Sequence, residues 1–252
     1  MGYEVDVGVS LPHIPPLWRE TRAGVEAAAL LASSVWRGDG VPAGDGRAVL
    51  LIPGFMAGDG SLTALTRWLR TCGYVTRRAG MRANVGCSEE QLERLEERLS
   101  ELADRAGERV AIVGQSRGGV LARVLAARRP DLVSGIVTLG APTVRQLSAH
   151  PVVLAQVAVL GVLGTTRIPG LFRASCLRGA CCARFRADLV DEFPDSVGYT
   201  ALYSKTDGVV DWRACLDPAA EQIEVRASHI GMGLNAQVYA ELGHALGSFA
   251  YS

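Results

Sequence analysis

The segment Val110-Ala111-Ile112-Val113-Gly114-Gln115-Ser116-Arg117-Gly118-Gly119-Val120-Leu121 runs an apolar, β-branched stretch straight into a glycine-bracketed serine and then into helix-forming residues. Few architectures accept that order. A strand that turns within a few residues into a helix strains its turning residue, and side chains two positions either side would collide across the bend. Glycine at Gly114 and Gly118 meets that demand, and Gly119 lets the helix approach the sheet. Val120, Leu121, Val124 and Leu125 then recur at helical spacing. The pattern predicts a strand–turn–helix elbow that lifts the Ser116 hydroxyl clear of a sheet, as a nucleophile requires.

The remaining chain supplies strands and helices in alternation. Apolar runs predict strands at Ala48–Ile52, Tyr74–Arg77, Arg109–Val113, Gly135–Leu139, Tyr199–Tyr203 and Gln222–Val225. Helical spacing predicts helices at Leu62–Leu69, Ser88–Ala106, from the elbow to Arg128, at Val152–Leu163 and at Ala236–Phe249. In the second of these, Leu92, Leu95, Leu99 and Leu102 form the buried stripe, with Ser88 as N-cap and Gln91 completing a capping box. Such alternation implies an α/β protein with a mostly parallel sheet flanked by helices and right-handed crossovers. Residues 1–46 read as a helical N-terminal extension. Its helix, from about Trp18 to Trp36, can line one face with Val25, Ala28, Ala29 and Ala32. Residues 47–252 read as the core, with an insertion at about 143–195. At 252 residues, 48% hydrophobic and 21% charged, the chain is long enough for one large core.

Lys+Arg and Asp+Glu both number 26, and no basic run invites a polyanion, so no nucleic-acid partner is expected. The N-terminus lacks the apolar core of a secretory signal, and the longest apolar stretch, Val152 to Leu163, is too short to span a bilayer. A cytoplasmic location is therefore expected. The six cysteines, Cys72, Cys87, Cys176, Cys181, Cys182 and Cys215, read as free thiols, with a local bridge within Cys176, Cys181 and Cys182 as the alternative. No histidine lies near that cluster and no paired C-x-x-C spacing exists, so no metal and no cofactor are expected.

A serine hydroxyl needs a base, and the base needs an orienting acid. Of four histidines, His13 lies in a proline-rich start, His150 in the insertion and His244 inside the last helix. His229 lies in the loop beyond the last strand, where loops at the carboxyl ends of parallel strands converge. The acid belongs between serine and histidine in chain order. Asp207 follows the Tyr199 strand directly, and Asp211 is its rival. An oxyanion needs aligned N–H donors. The backbone of Arg117 is one. Phe55 is the other, Gly54 supplying the unusual backbone that aims it and Met56 being its alternative in register.

Taken in order, Pro53-Gly54-Phe55, Gly114-Gln115-Ser116-Arg117-Gly118, Ser204-Lys205-Thr206-Asp207-Gly208-Val209-Val210 and Ser228-His229-Ile230-Gly231 resemble the α/β-hydrolase family, most of all its small bacterial lipase and esterase members. The likeness covers about residues 47–250. It implies Ser116 as nucleophile, Asp207 as acid, His229 as base and no cofactor or metal. It also implies a helical cap at the insertion, with Val152, Val153, Leu154, Val157, Val159, Leu160, Phe172 and Phe185 over an acyl chain. Many relatives carry His-Gly where Pro53-Gly54 stands, histidine where Gln115 stands, and a small or apolar residue where Arg117 stands. The implied function is hydrolysis of a small-molecule acyl ester or lipid through an acyl-enzyme. Acyl transfer, thioester hydrolysis and non-catalytic lipid binding are the alternatives. Oligomeric state is not legible.

Overall fold

Among the described residues six strands form one sheet in the order β2-β1-β3-β4-β5-β6, every neighbouring pair parallel. They are β1 (Ala48–Ile52), β2 (Val75–Arg78), β3 (Val110–Gln115), β4 (Val133–Leu139), β5 (Gly198–Tyr203) and β6 (Glu221–Glu224). The structure, a computed structural model, describes residues 14–251. His13 lies outside the described residues. Among the described residues the α-helices are α1 (Ala23–Ala32), α2 (Thr63–Thr71), α3 (Ser88–Ala106), α4 (Arg117–Arg128), α5 (Pro151–Thr165), α6 (Ala174–Arg178), α7 (Ala183–Val190) and α8 (Ala236–Ser248). Strand order reverses between β1 and β3, which opens a crevice at the carboxyl ends of the strands.

The two faces of the sheet show why the central strands read as unbroken apolar runs. Ala48, Leu50 and Ile52 pack with Val110, Ile112 and the leucine stripe of α3 on one side. Val49 and Leu51 pack with Ala111, Val113, Trp68 and Tyr239 on the other. Alternate side chains are buried on opposite faces, so no position is left for a polar residue. Helix α4 lies beneath the elbow with every residue from Gly118 to Ala126 buried.

Two local expectations are corrected. Helix α3 begins at Ser88, but its N-cap is Cys87, whose carbonyl accepts from Gln91 N; no side chain caps the helix. The Ser88 hydroxyl instead accepts from the Arg117 guanidinium, which removes it from the capping box. In the N-terminal segment, Val25, Ala28, Ala29 and Ala32 face solvent, while Glu26 and Leu30 are the buried residues of α1. The alanine-rich sequence carries no strong apolar stripe, and a buried carboxylate decides which face turns inward. Leu30 and Val35 join the same apolar cluster as Trp68, whose indole donates to Val35 O at 2.6 Å.

A pair of register-matched glycines makes one further contact possible. Gly135 of β4 and Gly198 of β5 are direct neighbours in the sheet. A Cβ on either would meet the Phe249 ring at 2.5 Å. The ring of the last aromatic residue but one thus fills a slot that two missing side chains leave. Gly135→Ala should cost about 1–3 kcal/mol in denaturant unfolding. In a Phe249→Ala background the same change should cost much less, and a double-mutant cycle reads the difference.

Candidate active site

Ser116 sits between the end of β3 and the start of α4 with φ +51° and ψ −123°, a region that residues with a Cβ rarely occupy. Its surroundings explain the glycines. A Cβ at Gly114 would lie 2.5 Å from the Gly118 carbonyl oxygen, and one at Gly118 would collide with the Ile52 carbonyl. Ser116 N donates to Leu139 O at 2.8 Å, which fastens the elbow to β4. The Ser116 hydroxyl makes no hydrogen bond among the described residues.

The loop after β5 carries Asp207 and the loop after β6 carries His229. Both are buried, and Asp207 Oδ2 lies 2.6 Å from His229 Nδ1. Asp207 Oδ1 accepts from Val209 N at 2.7 Å and Val210 N at 2.8 Å, so the carboxylate is oriented before it meets the ring. Asp211 does not reach the imidazole. It caps the 3-10 turn at Trp212–Cys215 through Arg213 N and pairs with the Arg213 guanidinium. Gly140, with φ +57°, passes so close that a Cβ there would be 3.2 Å from both Asp207 Oδ2 and His229 Nδ1. Burial alone would lower the imidazole pKa. The charge and hydrogen bond of Asp207, with the charge of Glu20 behind them, outweigh it and hold the pKa above its usual value. Among the described residues no hydrogen bond joins Ser116 to His229. Gln115, the neighbour of the serine, links the two instead, its side-chain amide donating to His229 O at 3.1 Å. His150 turns its Nδ1 to Val152 N at the start of α5, and His244 is exposed on α8.

Two acids of the N-terminal segment brace these loops, and sequence reasoning missed both. Glu20 Oε1 accepts from Gly208 N and His229 N, each at 2.9 Å, and Oε2 accepts from Ile230 N at 2.8 Å. Glu26 Oε1 accepts from Ser228 N at 2.9 Å, and Oε2 lies 3.2 Å from the Ser228 hydroxyl. One carboxylate thereby spans the loop of Asp207 and the loop of His229. No local pattern announces such a contact, because its partners are backbone groups about 200 positions away.

Of the expected oxyanion donors, Phe55 N and Arg117 N have no acceptor among the described residues. Gly54 does not supply the unusual backbone expected of it. The left-handed residue of that loop is Met56, at φ +59°, whereas Gly54 is needed for closeness, since a Cβ there would lie 3.3 Å from Ser116 Cβ. Asn84, fully buried, holds the loop. Its side-chain amide donates to Pro53 O at 2.8 Å, and its carbonyl accepts from Arg117 Nη1 at 2.8 Å. The Arg117 guanidinium does not turn outward, and it pairs with no acid among the described residues. It donates to Asn84 O, Gly86 O and Ser88 Oγ, and desolvation pushes its pKa down to about 10 against the opposing influence of the Cys182, Cys87 and Cys176 thiols.

Among solved structures, a lipase of Bacillus licheniformis in its mature form is similar over 81% of this chain and 94% of its own, at 17% identity and a TM-score of 0.59. Aspergillus fumigatus lipase B matches 82% of this chain and 54% of its own, at 16% identity and a TM-score of 0.58. A monoacylglycerol lipase of Paleococcus ferrophilus matches 81% and 96%, at 14% identity and a TM-score of 0.52. This chain has the α/β-hydrolase fold. No family model and no curated protein sequence matches it.

Within this fold the segment between β4 and β5 covers the serine. A cavity of about 150 Å³ is lined by Ser116 and Phe55 from below and by Val153, Leu154, Val157 and Phe172 from above. Val152 and Val159, expected over the same space, are 48% and 57% exposed and face solvent. The apolar composition of α5 runs all round the helix, so periodicity gives no sign of which residues turn inward. Gly161 and Gly164 are its buried residues and seat against Phe172. Leu160 is half-buried and Phe185 lines the cavity. No helix among the described residues is long and apolar enough to cross a membrane.

The fold brings Cys87, at the start of α3, to Cys176, Cys181 and Cys182, and all four sulfurs lie within 4.8 Å of one another. None of the six cysteines forms a disulfide. The ligand spacing sought in sequence is absent because one member comes from 95 positions before Cys182.

A raised His229 pKa carries a sign for stability. The protonated ring is favoured in the folded state, so its contribution is complete below about 6.5, the unfolded value, and is lost as pH rises through the folded value. Glu20→Gln removes one of the charges responsible. NMR titration of the His229 ring should show its pKa lowered in that variant, and the protein should lose about 1–3 kcal/mol of stability through the broken backbone contacts.

Proposed function

We propose that the protein is a serine hydrolase of carboxylic esters, with Ser116 as nucleophile, His229 as general base and Asp207 as the orienting acid. The observation that carries this reading is the strained Ser116 elbow opening on an apolar cavity, with the imidazole of His229 paired to Asp207 and the backbone carbonyl of His229 accepting from Gln115, the neighbour of the serine. The lipases and esterases among the similar structures support the ester class.

In this mechanism Ser116 Oγ attacks the ester carbonyl carbon while His229 Nε2 takes its proton. In this reading the hydroxyl approaches the ring on substrate binding, since catalytic hydrogen bonds often form or tighten only in the substrate complex. Negative charge on the carbonyl oxygen is met by the N–H groups of Phe55 and Arg117, the latter reinforced by the positive end of α4. The imidazolium returns its proton to the leaving alkoxide, and Asp207 stabilises the ring's charge in between. Water then attacks the acyl-enzyme with His229 again as base, releasing the acid and restoring Ser116. The insertion acts as a cap whose apolar side chains hold the acyl group and exclude water from the ester.

Acyl transfer or thioester hydrolysis would use the same residues. The cap favours apolar acyl groups, and a space of this order suits a group of roughly benzene size, so short acyl chains should be preferred in either case.

A fluorophosphonate probe should modify the folded protein once, at Ser116, and leave Ser116→Ala unlabelled. Absence of labelling in the wild type overturns the reading in favour of a binding protein. Asp207→Asn should lower kcat by about 10³–10⁴-fold, whereas Asp211→Asn should stay within a few-fold of wild type. In a series of aryl esters, kcat/KM should peak at short acyl chains, and Leu154→Ala should move that peak to longer ones.

A further inference from the structure

Four thiols from two distant parts of the chain meet on one side of the cap. Cys87 stands at the N-terminus of α3, Cys176 lies on α6, and Cys181 and Cys182 lie in the 3-10 turn that precedes α7. Cys87 Sγ is 3.3 Å from Cys182 Sγ, Cys181 Sγ is 3.3 Å from Cys176 Sγ and 4.0 Å from Cys182 Sγ. Four thiolates placed at ~2.3 Å around a tetrahedral zinc ion stand ~3.8 Å apart. The observed spacings bracket that value, with no pair beyond 4.8 Å.

The surroundings match such a centre. Arg117 has no carboxylate partner among the described residues, and its guanidinium donates to Gly86 O and Ser88 Oγ, the two residues that flank Cys87. A metal ion held by four thiolates carries a net charge of about −2, which supplies the counter-charge that a desolvated cation otherwise lacks. Cys87 also sits where the dipole of α3 favours a thiolate. Cys87 and Cys182 are buried, Cys176 is half-buried and Cys181 is exposed, which leaves an entry path from solvent.

We propose that Cys87, Cys176, Cys181 and Cys182 bind one zinc ion as a closed structural site that pins the cap to the core. All four positions of a tetrahedral ion are taken by protein, so the ion has no place for water or substrate and performs no chemistry. On binding, each thiol gives up its proton and forms a Zn–S bond, so up to four protons are released to solvent with no change of oxidation state. The consequence lies in the cap. Cys176 and Leu177 line the acyl cavity, and Phe172 N donates to Val85 O two residues before Cys87, so the ion would fix one wall of the cavity to the start of α3. The proposal rests on the placement of these side chains alone and is independent of the hydrolase reading.

The test is metal analysis of the full-length protein, purified under reducing conditions without chelator. Elemental mass spectrometry should find about one zinc per chain, and thiol titration before and after chelation should show four cysteines becoming reactive while Cys72 and Cys215 are unchanged. The stripped protein should bind Co²⁺ with the visible d–d and sulfur-to-cobalt bands of a tetrahedral tetrathiolate, and Zn²⁺ should bleach them. Cys176→Ser/Cys181→Ser should abolish binding and lower Tm in zinc-containing buffer to that of the stripped wild type. The proposal is overturned if the reduced wild type holds no zinc and takes up neither ion, or if intact mass shows the four cysteines joined in disulfides. Because the wild-type protein answers both questions, failure of the double variant to fold does not shield the proposal.

Discussion

The arrangement depends on a backbone conformation that one residue adopts against its preference. Ser116 turns at φ +51°, and it does so because Gly114, Gly118 and Gly119 allow β3, α4 and the β1 loop to close around it without a Cβ between them. Strain of this kind, of order 1–3 kcal/mol, persists only where the surroundings over-determine it. Here they do: the Ser116 amide is tied to β4, and α4 is buried on every side. With the elbow fixed, the first free N–H of α4, the loop after β1 and the loops after β5 and β6 all arrive at one end of the sheet.

A second layer holds those loops. Glu20 and Glu26 come from the segment before β1, yet every contact they make with the site region is at the loops of Asp207 and His229. Loops after strands lack regular hydrogen-bond partners for their own N–H groups, and a carboxylate that accepts two or three of them both satisfies and orders the chain. On the opposite side Asn84 and Arg117 do comparable work for the loop that carries Phe55. The loops that carry Phe55, Asp207 and His229 are thus each fastened from outside, which leaves them few degrees of freedom.

What the sequence disclosed and what it hid follow from the range of the interactions concerned. The elbow, the leucine stripe of α3 and the all-apolar β1 are local: a period or a glycine spacing is enough to see them. The pairing of His229 with Asp207 rather than Asp211 is half-legible, since chain order and strand ends narrow the choice but the folding of the loops decides which carboxylate faces the ring. Three features were closed to pattern reading. The inward face of α5 is not marked by polarity, because the helix is apolar all round. The seat of Arg117 depends on backbone carbonyls, which no side-chain pattern reports. The four-thiol cluster draws Cys87 from beyond the cap, so no spacing rule applied to Cys176, Cys181 and Cys182 could have completed it.

The brace supplied by Glu20 grips only main-chain amides, at Gly208, His229 and Ile230. Every amino acid except proline offers the same N–H, so the clamp is blind to the identity of what it holds. Evolution, or a library built on this scaffold, is therefore free to rewrite Ile230 at the rim while the geometry beneath is conserved. Residue 20 has no such licence, although it lies outside the sheet that gives the molecule its shape.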